Sequence, residues 1–210
     1  MQSKFRGVYL VTDRPLCLHH QLEEVVRLSA SGGVSLVQLR EKETSSREFL
    51  RLAIHLKKIL TPFQIPLLIN DRVDLCLASG ADGVHLGQSD LPWLEARKLL
   101  GKNAIIGLSI ETKEDWESLN REHSNPSLDY LAVSPVFNTP TKTNTKQALG
   151  IAGVRWLKDK TKLPVVAIGG INIGNAKEVI QAGADMIAVV SAICSAKDPK
   201  EATLSLRNLF

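Results

Sequence analysis

Residues 176–190 read Ala-Lys-Glu-Val-Ile-Gln-Ala-Gly-Ala-Asp-Met-Ile-Ala-Val-Val, an amphipathic stretch that breaks at a glycine and restarts as an apolar run. Ala176, Val179 and Ile180 keep the three-to-four spacing of one helix face. Gly183 is placed to close that helix with a positive φ, and Met186–Val190 is too short and too uniformly apolar for a second helix. The same sequence of events occurs at Ser31-Gly32-Gly33-Val34 and at Ser79-Gly80-Ala81-Asp82. A helix that ends on glycine and feeds a buried strand is half of a β/α unit, and its recurrence predicts a repeated one.

Working outward, short apolar runs predict strands at Gly7–Thr12, Val34–Leu39, Pro66–Ile69, Gly83–Leu86, Ala104–Leu108, Tyr130–Val133, Pro164–Ile168 and Met186–Val190. Most lack in-and-out alternation, as parallel strands covered on both faces do. Between them, Leu22-Val25-Val26-Leu28-Ser29 and Phe49-Leu52-Ala53-Leu56-Leu60 carry helical spacing, and Asp90 before Leu91-Pro92 reads as a helix N-cap. The eight strand starts from Gly7 to Met186 recur about every 26 residues. Eight parallel strands alternating with helices describe a closed (β/α)8 TIM barrel, with 1–210 as one compact domain. An open doubly wound sheet would call for a glycine-rich turn after the first strand, and Val11-Thr12-Asp13-Arg14-Pro15 has no glycine.

Composition narrows the function classes. The 210 residues are 44% hydrophobic and 23% charged, which excludes a disordered or fibrous chain. The net charge of +4 is mild and no basic block appears, so nucleic acid is not the default partner and a small polyanion fits the excess equally well. Cys17, Cys76 and Cys194 are scattered without a CxxC spacing, against both a disulfide framework and a structural zinc site. Met1–Pro15 carries Lys4, Arg6 and Asp13 and has no apolar signal region, and no run approaches the roughly 20 residues of a membrane span. The expectation is a cytoplasmic protein that works on small molecules, with neither nucleic acid nor membrane as partner and a homo-oligomer left open.

Barrel chemistry gathers at the carboxyl ends of the strands, and the polar residues fall there. Gln38, Arg40 and Lys42 share one face at the end of the second strand, and Asn70-Asp71-Arg72 follows the third. Gly83-Val84-His85-Leu86-Gly87-Gln88-Ser89-Asp90 carries the fourth to a second carboxylate, and Lys142 follows the sixth. Asp71 and Asp90 amid Arg40, Lys42 and Lys142 make sense as a Mg²⁺ site beside a pyrophosphate site, although mutual neutralisation is an equal reading of any one pair. Gly169-Gly170 and Val190-Ser191 suggest a second anion cradle at the last two strands. A metal-bound pyrophosphate beside a second phosphate suits a transferase that expels pyrophosphate.

These residues resemble the thiamine-phosphate synthase (thiamine-phosphate pyrophosphorylase) family. The matching segments are Tyr9-Leu10-Val11-Thr12-Asp13, Gln38-Leu39-Arg40-Glu41-Lys42, Ile69-Asn70-Asp71-Arg72, Gly83–Asp90, Thr139-Pro140-Thr141-Lys142 and Ile168-Gly169-Gly170-Ile171. The resemblance implies a Mg²⁺-dependent transferase of thiamine biosynthesis. It would join 4-amino-2-methyl-5-hydroxymethylpyrimidine diphosphate to 4-methyl-5-(2-hydroxyethyl)thiazole phosphate and release pyrophosphate. By the resemblance, Gln38, Arg40, Lys42, Asn70, Ser109 and Lys142 hold the pyrimidine diphosphate, and Arg40, Lys42 and Lys142 act catalytically on the leaving group. Asp71 and Asp90 ligate the metal, while Thr139, Thr141, Gly170, Val190 and Ser191 hold the thiazole phosphate.

The alternative is a thiazole tautomerase or thiazole-phosphate-binding regulator of the TenI type, which typically carries a histidine after the sixth strand. Here that place reads Ser134-Pro135-Val136-Phe137, and both aspartates are kept. A non-catalytic phosphate-binding module would bind thiazole phosphate without releasing pyrophosphate, and a sugar-phosphate isomerase explains the basic ring less well. His85 reads equally as a pocket wall or a core residue, His19-His20 as exposed residues before a helix, and 142–147 as a solvated loop or a lid over the diphosphate.

Overall fold

The structure, a computed structural model, describes residues 5–122, 127–139 and 147–210. Eight parallel strands run in order: β1 (Gly7–Val11), β2 (Leu36–Leu39), β3 (Leu67–Asn70), β4 (Gly83–Leu86), β5 (Ile105–Ile110), β6 (Tyr130–Val133), β7 (Val165–Ile168) and β8 (Met186–Val189). They close into a barrel, with β8 pairing back to β1 from Gly7↔Met186 to Leu10↔Val189. The helices are α1 (Leu22–Ser31), α2 (Ser46–Leu60), α3 (Val73–Ser79), α4 (Trp93–Leu100), α5 (Lys113–Glu122), α6 (Gly150–Lys160), α7 (Ala176–Gln181), α8 (Ser191–Cys194) and α9 (Pro199–Arg207). The (β/α)8 expectation holds, with each strand end within two residues of its expected place.

The glycines that predicted the repeat do what the turns require. Gly33, Gly80 and Gly183 have φ of 86°, 67° and 105°, conformations that a side chain rarely adopts. Helix starts are less well anticipated. Asp90 does not cap α4, whose N-cap is Pro92; the Asp90 carboxylate instead accepts from the Gly87 N–H at 2.7 Å. The acid-then-proline start occurs at α9, where Asp198 accepts from the Glu201 N–H ahead of Pro199.

The strands bury both faces, but against different partners. One face packs on the helices through residues such as Val8, Leu10, Val37, Leu39, Leu67 and Ile69. The other fills the lumen with a smaller cluster that includes Tyr9, Leu36, Leu68, Ile105, Tyr130 and Met186. Two tyrosines are a large load for so narrow a space, and a glycine on β5 makes the room. A methyl group on Gly107 would lie 2.0 Å from Tyr130 Cζ.

At the amino ends of the strands a three-part clasp recurs. Asp82, just before β4, accepts from the Leu67 N–H of β3 and from Lys57 of α2. Asp129, before β6, accepts from the Ile106 N–H of β5 and from Arg97 of α4. Asp185, before β8, accepts from the Val165 N–H of β7 and from Lys158 of α6. In the first quarter Ser35 stands in, donating its hydroxyl to the Arg6 carbonyl. All three cysteines are free thiols. Among the described residues no helix is long and apolar enough to cross a membrane.

Two substitutions test this packing. Gly107→Ala should cost about 1–3 kcal/mol by overpacking, read as a fall of about 3–10 °C in the thermal midpoint. Asp185→Ala removes the shared acceptor of Val165 and Lys158 and should cost about 1–3 kcal/mol in urea unfolding, with the slope against urea unchanged.

Candidate active site

The carboxyl ends of β2, β3 and β4 deliver charge to one rim because the side-chain period of a strand sends alternate residues to the same face. Gln38 is buried on β2, and Arg40 follows it with its N–H held by the Thr12 hydroxyl at 3.0 Å. The Arg40 guanidinium lies 3.2 Å from Asp13, and Lys42 Nζ lies 2.7 Å from Asp71 Oδ2. Two cations of the anticipated ring therefore rest against carboxylates, so the neutralising reading is partly realised. The Lys42–Asp71 pair is open enough to water for a multiply charged anion to compete for the lysine, whereas the Arg40–Asp13 pair is largely covered.

Asp71 follows β3 with φ +63°, one of two non-glycine residues in the left-handed region among those described. Its N–H donates to the His85 carbonyl at 2.9 Å, which holds the turn across to β4. Non-glycine residues in that region carry strain and cluster at functional sites. Asp90 reaches the same place from the next loop. A reciprocal turn fixes it: Asp90 N–H to the Gly87 carbonyl, and Gly87 N–H back to the carboxylate.

The two carboxyl groups interact directly. Burial is the first cause that pushes the Asp90 carboxyl above the usual carboxylate range, and hydrogen bonding with Asp71 is the second. The Gly87 N–H and Lys42 pull in the opposite direction. Two carboxyl groups set against each other form a donor set suited to a hard divalent cation. Among the described residues no group of three or more His, Cys, Asp or Glu could hold a metal. A two-carboxylate site completed by water and phosphate oxygens is the mode Mg²⁺ uses.

Asn70 ends β3 beside Asp71, and Ser109 is buried near the end of β5. Across the rim, Gly169 and Gly170 follow β7 with φ +110° and +65°. Their glycine character has a reason beyond ligand access. A Cβ on Gly169 would lie 2.7 Å from Pro135 Cβ, and one on Gly170 would lie 2.8 Å from Phe137 Cβ. The loop after β6 is bonded to this turn, with Val136 N–H to the Ile168 carbonyl and Phe137 N–H to the Gly169 carbonyl. Val190 is half-buried after β8 and Ser191 is exposed at the start of the four-residue α8. Thr139 is half-buried at the end of the β6 loop. Thr141, Lys142 and most of the suggested lid at 142–147 lie outside the described residues.

Sequence reading left several participants without roles. Asp13 and Thr12 hold Arg40, and their signal was the Thr-Asp that closes the first matching segment. Tyr9 and Tyr130 are fully buried with paired hydroxyls, and a tyrosine inside an apolar strand offers no signal of direction. Gln88 donates to the Ser109 carbonyl and ties the fourth loop to β5.

Asp71→Gly separates strain from function. It should leave the thermal midpoint unchanged or raise it by about 2–4 °C, because glycine relieves about 1 kcal/mol of backbone strain. Metal binding measured by calorimetry should weaken at the same time.

Comparisons with known proteins show the family and the fold. The family profile described as thiamine monophosphate synthase matches residues 8–193. A thiamine-phosphate synthase of Leptospira biflexa is 81% identical over 210 residues, all of both chains. One from Albidiferax ferrireducens is 52% identical, covering 97% of this chain and 91% of its own. The solved thiamine phosphate pyrophosphorylase of Pyrococcus furiosus superposes with a TM-score of 0.86 at 36% identity, over 99% of this chain and 96% of that one. A 3-hexulose-6-phosphate synthase superposes at 0.71 with 18% identity and shares the fold. Matched by the family profile over most of its length and by a relative over all of it, the chain belongs to the thiamine monophosphate synthase family.

Proposed function

We propose that this enzyme condenses 4-amino-2-methyl-5-hydroxymethylpyrimidine diphosphate with 4-methyl-5-(2-hydroxyethyl)thiazole phosphate, giving thiamine phosphate and pyrophosphate. The observation that carries the reading is the convergence of Asp71, Asp90 and Lys42 from three strand ends on one rim, with Arg40 from the same strand as Lys42. A leaving group with three or four negative charges needs such a set, and a monophosphate ligand does not.

In the reaction the bond from the pyrimidine methylene carbon to the diphosphate oxygen breaks, and the thiazole nitrogen forms a bond to that carbon. The exocyclic amine of the pyrimidine feeds electron density into the ring as the bond breaks. The thiazole nitrogen has a free lone pair, so no side chain has to remove a proton. Arg40 exchanges Asp13 for the diphosphate and grips it as a planar fork, and Lys42 turns from Asp71 to the same anion. Asp71 and Asp90 would hold Mg²⁺, which when bound neutralises charge on the pyrophosphate oxygens. Lys142 completes the cationic ring by the family resemblance. Gln38, Asn70 and Ser109 hold the pyrimidine diphosphate, and Thr139, Thr141, Gly170, Val190 and Ser191 hold the thiazole phosphate. The chain's own work is positioning and electrostatics. A cytoplasmic location suits such a biosynthetic step.

Incubating the protein with both precursors and Mg²⁺ should release one pyrophosphate for each thiamine phosphate formed. Lys42→Ala and Asp90→Asn should each lower kcat by about 10²–10³, the cost of removing one preorganised electrostatic partner. A TenI-type tautomerase would release no pyrophosphate, and wild-type turnover in both variants would remove the support for the rim as the diphosphate site.

A further inference from the structure

An unbroken chain of polar side chains crosses the barrel lumen beneath the mouth. Gln38 Nε2 of β2 donates to the Tyr9 hydroxyl of β1. The Tyr9 and Tyr130 hydroxyls are 3.1 Å apart, Tyr130 lies 2.8 Å from His85 Nδ1 of β4, and His85 Nε2 lies 2.9 Å from Ser109 Oγ of β5. The Tyr130 ring stacks on His85 with centroids 5.6 Å apart and an interplanar angle of 16°, and it meets Tyr9 edge to face at 6.1 Å. Room for Tyr130 exists only because residue 107 has no side chain. Both residues that begin and end the chain belong to the set assigned above to the pyrimidine substrate.

One consistent order of donors runs through this chain from the Gln38 end. An amide NH₂ can only donate, so Tyr9 accepts from Gln38, and in this order it gives its single proton to Tyr130. Tyr130 then accepts from Tyr9 and gives its proton to His85 Nδ1. An imidazole that accepts at Nδ1 carries its proton on Nε2, and it donates that proton to Ser109. Burial raises the pKa of both tyrosines, so each keeps the proton this order requires. The consequence lies at the two ends. Gln38, with its NH₂ group engaged, offers a carbonyl oxygen. Ser109, accepting from His85, has its own proton to donate.

An acceptor and a donor are what a 4-aminopyrimidine edge needs, because its exocyclic amine donates and its ring N3 accepts. The 4-oxo analogue presents the reverse, a carbonyl that accepts and an N3–H that donates. We propose that Tyr9, Tyr130 and His85 are positioning residues that fix the polarity of Gln38 and Ser109 and thereby select an amino- over an oxo-pyrimidine diphosphate. This rests on the assignment of Gln38 and Ser109 to the pyrimidine, and it adds the residues that set their hydrogen directions. A site built around fixed donors and acceptors discriminates strongly, because the wrong ligand leaves buried groups without partners.

The test compares kcat/KM for the 4-amino and 4-oxo pyrimidine diphosphates, with thiazole phosphate as the second substrate. Tyr130→Phe breaks the relay and should reduce the amino-to-oxo preference by about tenfold or more, raising KM for the aminopyrimidine and leaving KM for thiazole phosphate unchanged. Two further variants guard against a folding defect. His85→Gln puts an amide donor near the position of Nε2 and should restore most of the preference, whereas His85→Asn reaches only toward Tyr130 and should not. An unchanged preference in Tyr130→Phe and His85→Asn, or equal shifts in KM for both substrates, would overturn the proposal. Ser109→Ala run in parallel tells the two levels apart: an unaltered aminopyrimidine KM there would mean that the pyrimidine is not held at Ser109, and the underlying assignment would fall first.

Discussion

A carboxylate oxygen that accepts a backbone N–H and a side-chain cation together ties three chain segments to one atom. Asp82, Asp129 and Asp185 each do this at the amino ends of the strands, binding a helix, the strand after it and the start of the next strand. A hydrogen bond to a charged group contributes about 1.5–3 kcal/mol, more than a neutral one. The clasps therefore fix how each odd strand sits against the following even strand, and closure of the barrel follows from repeating that relation. The convergence of Arg40, Lys42, Asp71 and Asp90 at the other end depends on it. Side chains from separate strands meet there only if strand stagger is set elsewhere.

The two ends of the barrel thus have opposite electrostatic character. At the clasped end each acid has its cation and its N–H. At the mouth Asp71 and Asp90 crowd each other, Asp71 has an unfavourable backbone angle, and Lys42 rests on a partner that an anion can displace. Such an arrangement costs stability when empty and gains it when a cation and a polyanion bind. The lumen between the ends supplies the transition, with apolar residues below and the Gln38-to-Ser109 chain above.

The barrel was legible in the sequence because its signals are local. A glycine that ends a helix and an apolar run that follows it are read from a few neighbouring residues, and Gly33, Gly80 and Gly183 adopted the angles their positions implied. The convergence of Asp71 with Asp90 was legible for a different reason, since both follow strands by one to four residues and strand ends share a rim. What was not legible needed partners far apart in the chain. Asp90 looked like a helix cap because a proline follows it two residues on, and only the fold shows that its carboxylate turns back to Gly87. Tyr9 and Tyr130 are 121 residues apart, and nothing in either segment announces that their hydroxyls meet. Gly169-Gly170 was read as room for phosphate, while the loop after β6 makes its own demand on both positions.

That last contact constrains how this molecule can be altered. Because Pro135 and Phe137 fill the volume that side chains at 169 and 170 would occupy, the connection leaving β6 and the bend leaving β7 interlock as one piece. A different β6 connection transplanted from another barrel would have to arrive with its matching β7 bend. Sequence drift is bound by the same coupling, so the part of the mouth built by β2, β3 and β4 has more freedom to diverge than the part built by β6 and β7.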